Sequence, residues 1–168
     1  MKFRKANITD AEEIARVHVD SWRTTYKNIV SDSYLSQLSV ERRKNNWEWT
    51  FKNLNKGEVI YVGLNDEDDI IGFACGGQNR EKEFEYDGEL YAIYLLRETQ
   101  GHGYGKKLFK LVVESLQNSG YKSMMVWVLQ GNTATNFYSA MGGELIGQKE
   151  IIIGEDKHIE LAYGWRNI

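Results

Sequence analysis

The chain has a single cysteine, Cys75, among 168 residues, so no disulfide can form within it and a reducing compartment is the expected setting. Cys75 closes the apolar run Ile70-Ile71-Gly72-Phe73-Ala74-Cys75, where a small buried hydrophobe is the first reading and a nucleophile the second. The three histidines, His18, His102 and His158, lie far from one another and from Cys75. Nothing has metal-ligand spacing, and no metal is expected. No apolar run approaches the ~20 residues of a membrane span. Met1-Lys2-Phe3-Arg4-Lys5 carries charge with no apolar segment behind it, so no signal peptide is read there. Positive charge is not in excess either: the net charge of −3 argues against a nucleic-acid partner. These absences together lead to the expectation of a cytoplasmic protein with no membrane association.

What is present suits a globular chain. Apolar residues at 42% and charged residues at 27% are ordinary proportions, and the length suits one domain over residues 1–168. No repeat, low-complexity stretch or linker interrupts it. Lys2 to Ala6 reads as a first strand. Thr9 and Glu12 have capping-box spacing, and Ala11, Ile14, Ala15, His18 and Trp22 then recur at helical intervals. On that apolar face His18 reads as a packed residue ahead of a catalytic base. A short helix after Ser31-Asp32-Ser33 and a longer one from Val40 to Leu54 follow. Val59–Leu64 and Ile70–Gly76 read as a hairpin around Asn65-Asp66-Glu67-Asp68-Asp69. Glu81, Glu83, Glu85, Asp87 and Glu89 alternate, and in extended chain all five would share one face, but a solvated edge or loop is the first reading for Glu81, Glu83 and Glu85. After Leu90–Leu96 come a helix ending near Asn118-Ser119-Gly120, a strand Met124–Leu129, a short helix Thr133–Met141, and two last strands, Glu144–Ile153 and His158–Trp165.

The densest signal is Gln100-Gly101-His102-Gly103-Tyr104-Gly105, between the apolar run Leu90–Leu96 and a helix from Lys106. Glycines let backbone N–H groups come close to a ligand, and the helix start adds unpaired donors and a positive dipole end. This is an anion site, best suited to phosphate. Walker A does not fit: position 100 is Gln, and Lys107 stands where Ser or Thr is required. G-x-G-x-x-G does not fit either, since Lys106 and Leu108 fall where the last glycine belongs.

Gln-x-x-Gly-x-Gly does fit, as Gln100, Gly103 and Gly105. With Val126-Trp127-Val128-Leu129 followed by Asn132, Asn136, Phe137 and Tyr138, the sequence resembles the GNAT superfamily of acetyl-CoA-dependent N-acetyltransferases. The resemblance runs over nearly the whole chain. It implies one α/β (α+β) domain whose mixed, mostly antiparallel sheet has about seven strands, splayed between the fourth and fifth and flanked by about four helices. It implies direct attack of an amine on acetyl-CoA in a ternary complex. Gln100, Gly101, His102, Gly103, Tyr104, Gly105 and Lys106 would bind the coenzyme A pyrophosphate. Ile93, Tyr94 and Leu95 would offer backbone groups to the pantetheine and acetyl carbonyl, and Asn132 and Asn136 would meet the pantetheine arm. Tyr138 matches the tyrosine that protonates the departing thiolate, and Glu89 the glutamate that takes the amine proton.

In such a fold Trp22, Tyr26 and Tyr91, with the acids near Asp87 and Glu89, would form the acceptor site. Aromatic faces and carboxylates suit a cationic amine. The expected acceptor is a small primary amine, such as a polyamine, amino sugar or amino acid derivative. A peptide or protein amine is the rival within the class, and a non-catalytic acyl-CoA-binding module or a nucleotide-binding protein the rivals outside it. The Ile-rich last strands could pair two copies as a homodimer.

Overall fold

The computed structural model describes all residues from Met1 to Ile168. Twelve elements follow one another: β1 (Lys2–Lys5), α1 (Ala11–Thr25), α2 (Asp32–Ser36), α3 (Val40–Lys52), β2 (Val59–Leu64), β3 (Ile70–Gln78), β4 (Gly88–Leu95), α4 (Tyr104–Asn118), β5 (Met124–Leu129), α5 (Ala134–Ala140), β6 (Glu144–Ile153) and β7 (Asp156–Trp165). The strands form one sheet in the order β1-β2-β3-β4-β5-β7-β6. All neighbours are antiparallel except β4 and β5, which run parallel and are joined by α4. Five helices flank the sheet, against the about four that the family resemblance implied; the expected short helix after Ser31, Asp32–Ser36, buries Leu35. No helix is long and apolar enough to cross a membrane.

Each face of the sheet carries its own core. On one, Ile14, Ala15 and Val17 of α1 and Trp47 of α3 pack on Ile60, Val62 and Phe73. On the other, Leu108, Val112 and Leu116 of α4 and Tyr138 of α5 pack on Leu90, Met124, Val126 and Trp165. Alternation along β5 sorts its side chains between them: Met124, Val126 and Val128 face α4, while Met125, Trp127 and Leu129 face the α1 side.

One local expectation is corrected. The capping box begins at Asn7, two residues before Thr9. Asn7 accepts the Thr9 N–H at 2.9 Å and Asp10 accepts the Asn7 N–H at 2.9 Å, closing a 3₁₀ turn before α1. Arg4 adds a two-pronged ion pair to Asp10, at 2.7 and 2.8 Å, which selects this acid over Glu12. Glu81, Glu83 and Glu85 lie in the loop between β3 and β4, as expected. Asn79 draws the carbonyls of Glu81, Phe84 and Tyr86 to its amide, each at 3.0 Å, which folds residues 79–87 into a bent loop. Only Glu89 lies in a strand, and it is 3% exposed.

The sheet opens at β4. Its ladder with β5 has three pairs, Gly88 with Met124, Glu89 with Met125 and Leu90 with Val126. Its ladder with β3 steps from Gly76–Leu90 to Cys75–Ala92, leaving Tyr91 without a partner. An unpaired residue of this kind is a bulge, which bends and twists the strand that carries it. Beyond Tyr91, β4 stays with β3 up to Leu95 and leaves β5, while β5 continues on β7 to Leu129. The close approach at the bulge needs Gly76: a Cβ there would stand 2.7 Å from the Glu89 carbonyl and 2.8 Å from Val112.

Candidate active site

The gap between β4 and β5 has a backbone-lined side and a side-chain-lined side. On the first, Gly101 and Gly103 both have φ of 81°, the left-handed conformation that other residues enter at a cost. Gly103 is the N-cap of α4 and offers no side chain to the helix start. Gly101, His102 and Gly103 make no backbone N–H hydrogen bonds, and the first α4 bond runs from Lys107 to the Gly103 carbonyl. Tyr104, Gly105 and Lys106 therefore also lack an intrahelical acceptor. From Gly101 to Lys106, six N–H groups in a row have no backbone partner. A Cβ placed at Gly101 or Gly103 would meet nothing within 4 Å, so the approach to these donors is open.

Gln100 acts differently from the rest of the loop. Its side-chain amide donates to the Leu95 carbonyl at 3.1 Å and ties the loop to the end of β4. The Leu96 N–H turns to β3, bonding Ile71 at 2.9 Å. Backbone groups alternate in direction along a strand, so those of Ile93 and Leu95 point to the opened edge. His102 stacks on Tyr104, with ring centroids 5.6 Å apart.

Across the gap, the loop into α5 is organised by Asn132. Its side-chain oxygen accepts the Ala134 N–H at 2.9 Å, and it is 7% exposed. Asn136 is exposed on α5. Tyr138 is buried between Phe137, Tyr163 and Trp165. Burial, helped by the nearby Tyr26 phenol, raises its pKa, so the hydroxyl keeps its proton at neutral pH.

On the α1 face lies a cavity of about 560 Å³. It is walled by His18, Trp22 and Tyr26 from α1 and its C-terminal end, Arg80 and Glu81 from the β3–β4 loop, and side chains of β4, β5, β6 and β7. Trp22, Tyr26, Tyr91 and Glu89, expected around the acceptor, all line it. Tyr138 does not; it lies in the core of the opposite face. The two are linked across the gap by Tyr26 and Tyr94, whose hydroxyls are 3.0 Å apart.

The sequence did not point to the partner of Glu89. Arg80 donates through Nη2 to Oε1 at 2.7 Å, and through Nε and its backbone N–H to Oε2 at 3.1 and 3.0 Å. The same guanidinium lies 3.9 Å from the centre of the Tyr91 ring. Lys149, Glu160 and Trp127 were missed as well. The one local hint was an acid inside the apolar strand Ile159-Glu160-Leu161-Ala162. His18 is a packed wall residue: Trp47 donates to its Nδ1 at 3.3 Å, and burial, with a smaller push from Arg43, lowers its pKa to about 3. Cys75 is buried, and that burial pushes its thiol up to about 12, far from a reactive thiolate.

Comparison with known proteins agrees with this arrangement. The profile of the acetyltransferase (GNAT) family matches residues 19–143. An uncharacterized N-acetyltransferase of Bacillus subtilis, YuaI, is 37% identical over 165 residues, covering 98% of this chain and 92% of its own. The spermidine N(1)-acetyltransferase of Thermoplasma acidophilum is 25% identical over 148 residues, covering 84% and 87%. The crystal structure of a PaiA N-acetyltransferase from Thermoplasma acidophilum in complex with coenzyme A superposes with a TM-score of 0.69, at 24% identity, covering 95% of this chain and 96% of that one.

Proposed function

The chain belongs to the acetyltransferase (GNAT) family, and from that premise we propose that it moves the acetyl group of acetyl-CoA to the primary amine of a small molecule. The observation that carries this reading is the row of six unpartnered N–H groups from Gly101 to Lys106, beside a gap that leads from the loop to the cavity. Such a row neutralises a pyrophosphate without a metal or a dedicated cation. The pantetheine then lies along Ile93, Tyr94 and Leu95, passing Asn132 and Asn136. The thioester comes to rest where β4 and β5 part. A cavity of about 560 Å³ has the capacity of a small-molecule pocket, which favours a small amine over a polypeptide.

The chemistry asked of the chain is limited. An ammonium enters from the α1 face and loses a proton through water to the Glu89 carboxylate. The amine nitrogen attacks the acetyl carbon while a backbone N–H of the opened β4 edge polarises the carbonyl. As the carbon–sulfur bond breaks, the sulfur takes the proton of the Tyr138 hydroxyl, the nitrogen gives up its second proton, which through water restores the phenol, and the products are the amide, coenzyme A and the proton that Glu89 returns to solvent. Tyr138 suits this role because burial keeps it protonated. Arg80 holds Glu89 against the cavity wall, so acceptor and donor meet from opposite faces of the sheet.

A panel of primary amines with acetyl-CoA, read by thiol release, tests the reading. Turnover of at least one small amine is expected; binding of acetyl-CoA with no turnover of any of them would sink it. The cytoplasm is the setting this reading assumes. For the homodimer we propose pairing along the open edge of β6, where Leu145 and Ile152 are exposed, to be read by sedimentation.

A further inference from the structure

The charges of the acceptor cavity narrow the acceptor itself, an inference that rests on the amine-acetylation reading. Three carboxylates (Glu81, Glu89, Glu160) and two cationic side chains (Arg80, Lys149) line the wall. His18 adds no charge at neutral pH, since burial keeps it neutral. A carboxylate beside an aromatic face is what would hold a ligand's ammonium. The cavity has two such places, and each is filled from within. At one end Arg80 covers Tyr91 and binds both oxygens of Glu89. At the other, the Lys149 ammonium lies 4.0 Å from the Trp127 ring centre and 3.3 Å from Glu81.

One carboxylate is left over. Glu160 stands on β7 with Leu129 of β5 paired to one side and Lys149 of β6 to the other. Its nearest cation is that same Lys149, at 3.9 Å, longer than the contact Lys149 makes with Glu81. No hydrogen bond holds it, and burial raises its pKa, an effect that Lys149 reduces and Glu89 adds to. It therefore faces a half-buried cavity with negative charge incompletely compensated. Elsewhere the cavity is lined by Trp22, Tyr94, Leu129 and Ile151, which are aromatic or aliphatic.

We propose that the acceptor is a small amine with a single positive charge on an apolar or aromatic body, docked by its ammonium on Glu160, and that di- and polyamines are poor ligands. A second ammonium would have to enter beside Arg80 or Lys149, cation against cation in a partly desolvated space. Glu160 is then a specificity-determining residue, distinct from Glu89, which takes the proton. This departs from the polyamine in the name of the Thermoplasma acidophilum relative.

Calorimetric titration of the coenzyme A complex at neutral pH and low salt tests this, with 2-phenylethylamine, 1,4-diaminobutane and spermidine as probes. The expected result is that 2-phenylethylamine binds at least about tenfold more tightly than either polycation. Glu160→Gln, an isosteric change, should weaken 2-phenylethylamine about tenfold with the thermal midpoint retained, and Lys149→Gln should improve 1,4-diaminobutane by about the same factor. A polycation binding the unaltered protein as tightly as 2-phenylethylamine overturns the proposal. So does undetectable binding of 2-phenylethylamine, or indifference of either variant. Since binding is the readout, a failure of turnover would strike the acetylation reading and leave this result to be judged separately.

Discussion

On the α4 side of the β4–β5 gap the groups offered to a ligand are backbone N–H donors, from Gly101 to Lys106 and along the opened edge at Ile93 and Leu95. On the α1 side they are side chains drawn from α1, the β3–β4 loop and four strands. The first surface is indifferent to most side-chain changes and sensitive to backbone conformation. The second depends on charges that meet only after folding. A chain built in this way can keep one donor, acetyl-CoA, while its acceptor varies with a handful of wall residues. It also lets the two substrates be perturbed one at a time.

The largest effect should come from the one residue assigned to the reaction on the α4 side. Tyr138→Phe is expected to lower kcat about 100-fold, the scale of a lost general acid, with acetyl-CoA affinity unchanged. Steady-state kinetics beside a coenzyme A titration would read this; full activity in the variant would remove Tyr138 from the reaction. Next is Gly103→Val. Forcing a β-branched residue to φ of 81° should cost about 1–2 kcal/mol and disturb the N–H row. Thermal stabilisation by coenzyme A should be lost while amine binding survives. Retained stabilisation would mean that the row is not the phosphate site.

On the other side, Arg80→Ala leaves the buried Glu89 carboxylate without its partner. Because Arg80 is largely exposed, the loss should be about 1–2 kcal/mol, below the range for fully buried pairs. Amine kinetics should change and coenzyme A stabilisation should not; equal damage to both would erase the division between the two surfaces. The last effect is a slope. His18 has a folded pKa of about 3 against about 6.5 when unfolded, so below pH 6.5 the unfolded chain takes up a proton that the folded chain refuses. Its stabilising contribution is present above that pH and is lost as pH falls toward 3, by at most about 1.4 kcal/mol per unit. Thermal midpoints between pH 7 and pH 4 should fall less steeply in His18→Gln than in the unaltered chain.

The two surfaces also differed in how legible they were. Gln-x-x-Gly-x-Gly between an apolar run and an amphipathic stretch describes the loop almost completely, because positive φ, a helix start and free donors are properties of consecutive residues. Gln100 was the exception within it: its amide reaches back to Leu95, a contact that spacing does not reveal. Of the aromatic residues near the end of the first helix that the sequence singled out, Trp22 and Tyr26 line the cavity. The loop reading of Glu81, Glu83 and Glu85 holds, and its cause was not legible: Asn79 gathers three carbonyls and abolishes the extended geometry that alternation would presume. The cap of the first helix was misplaced for a related reason, since Arg4 selects Asp10 from a neighbouring strand.

From the sequence alone came the family, the mixed sheet and the glycine loop before α4, since each rests on periodicity or on conformational limits acting over a few adjacent residues. Only the tertiary structure decided which acid of the cavity is left uncompensated. Glu89 is joined to Arg80 by a bent loop, and Glu160 shares Lys149 with Glu81, 79 positions away along the chain, through sheet register and loop packing. Charge compensation falls steeply with distance in space and takes no account of distance in sequence.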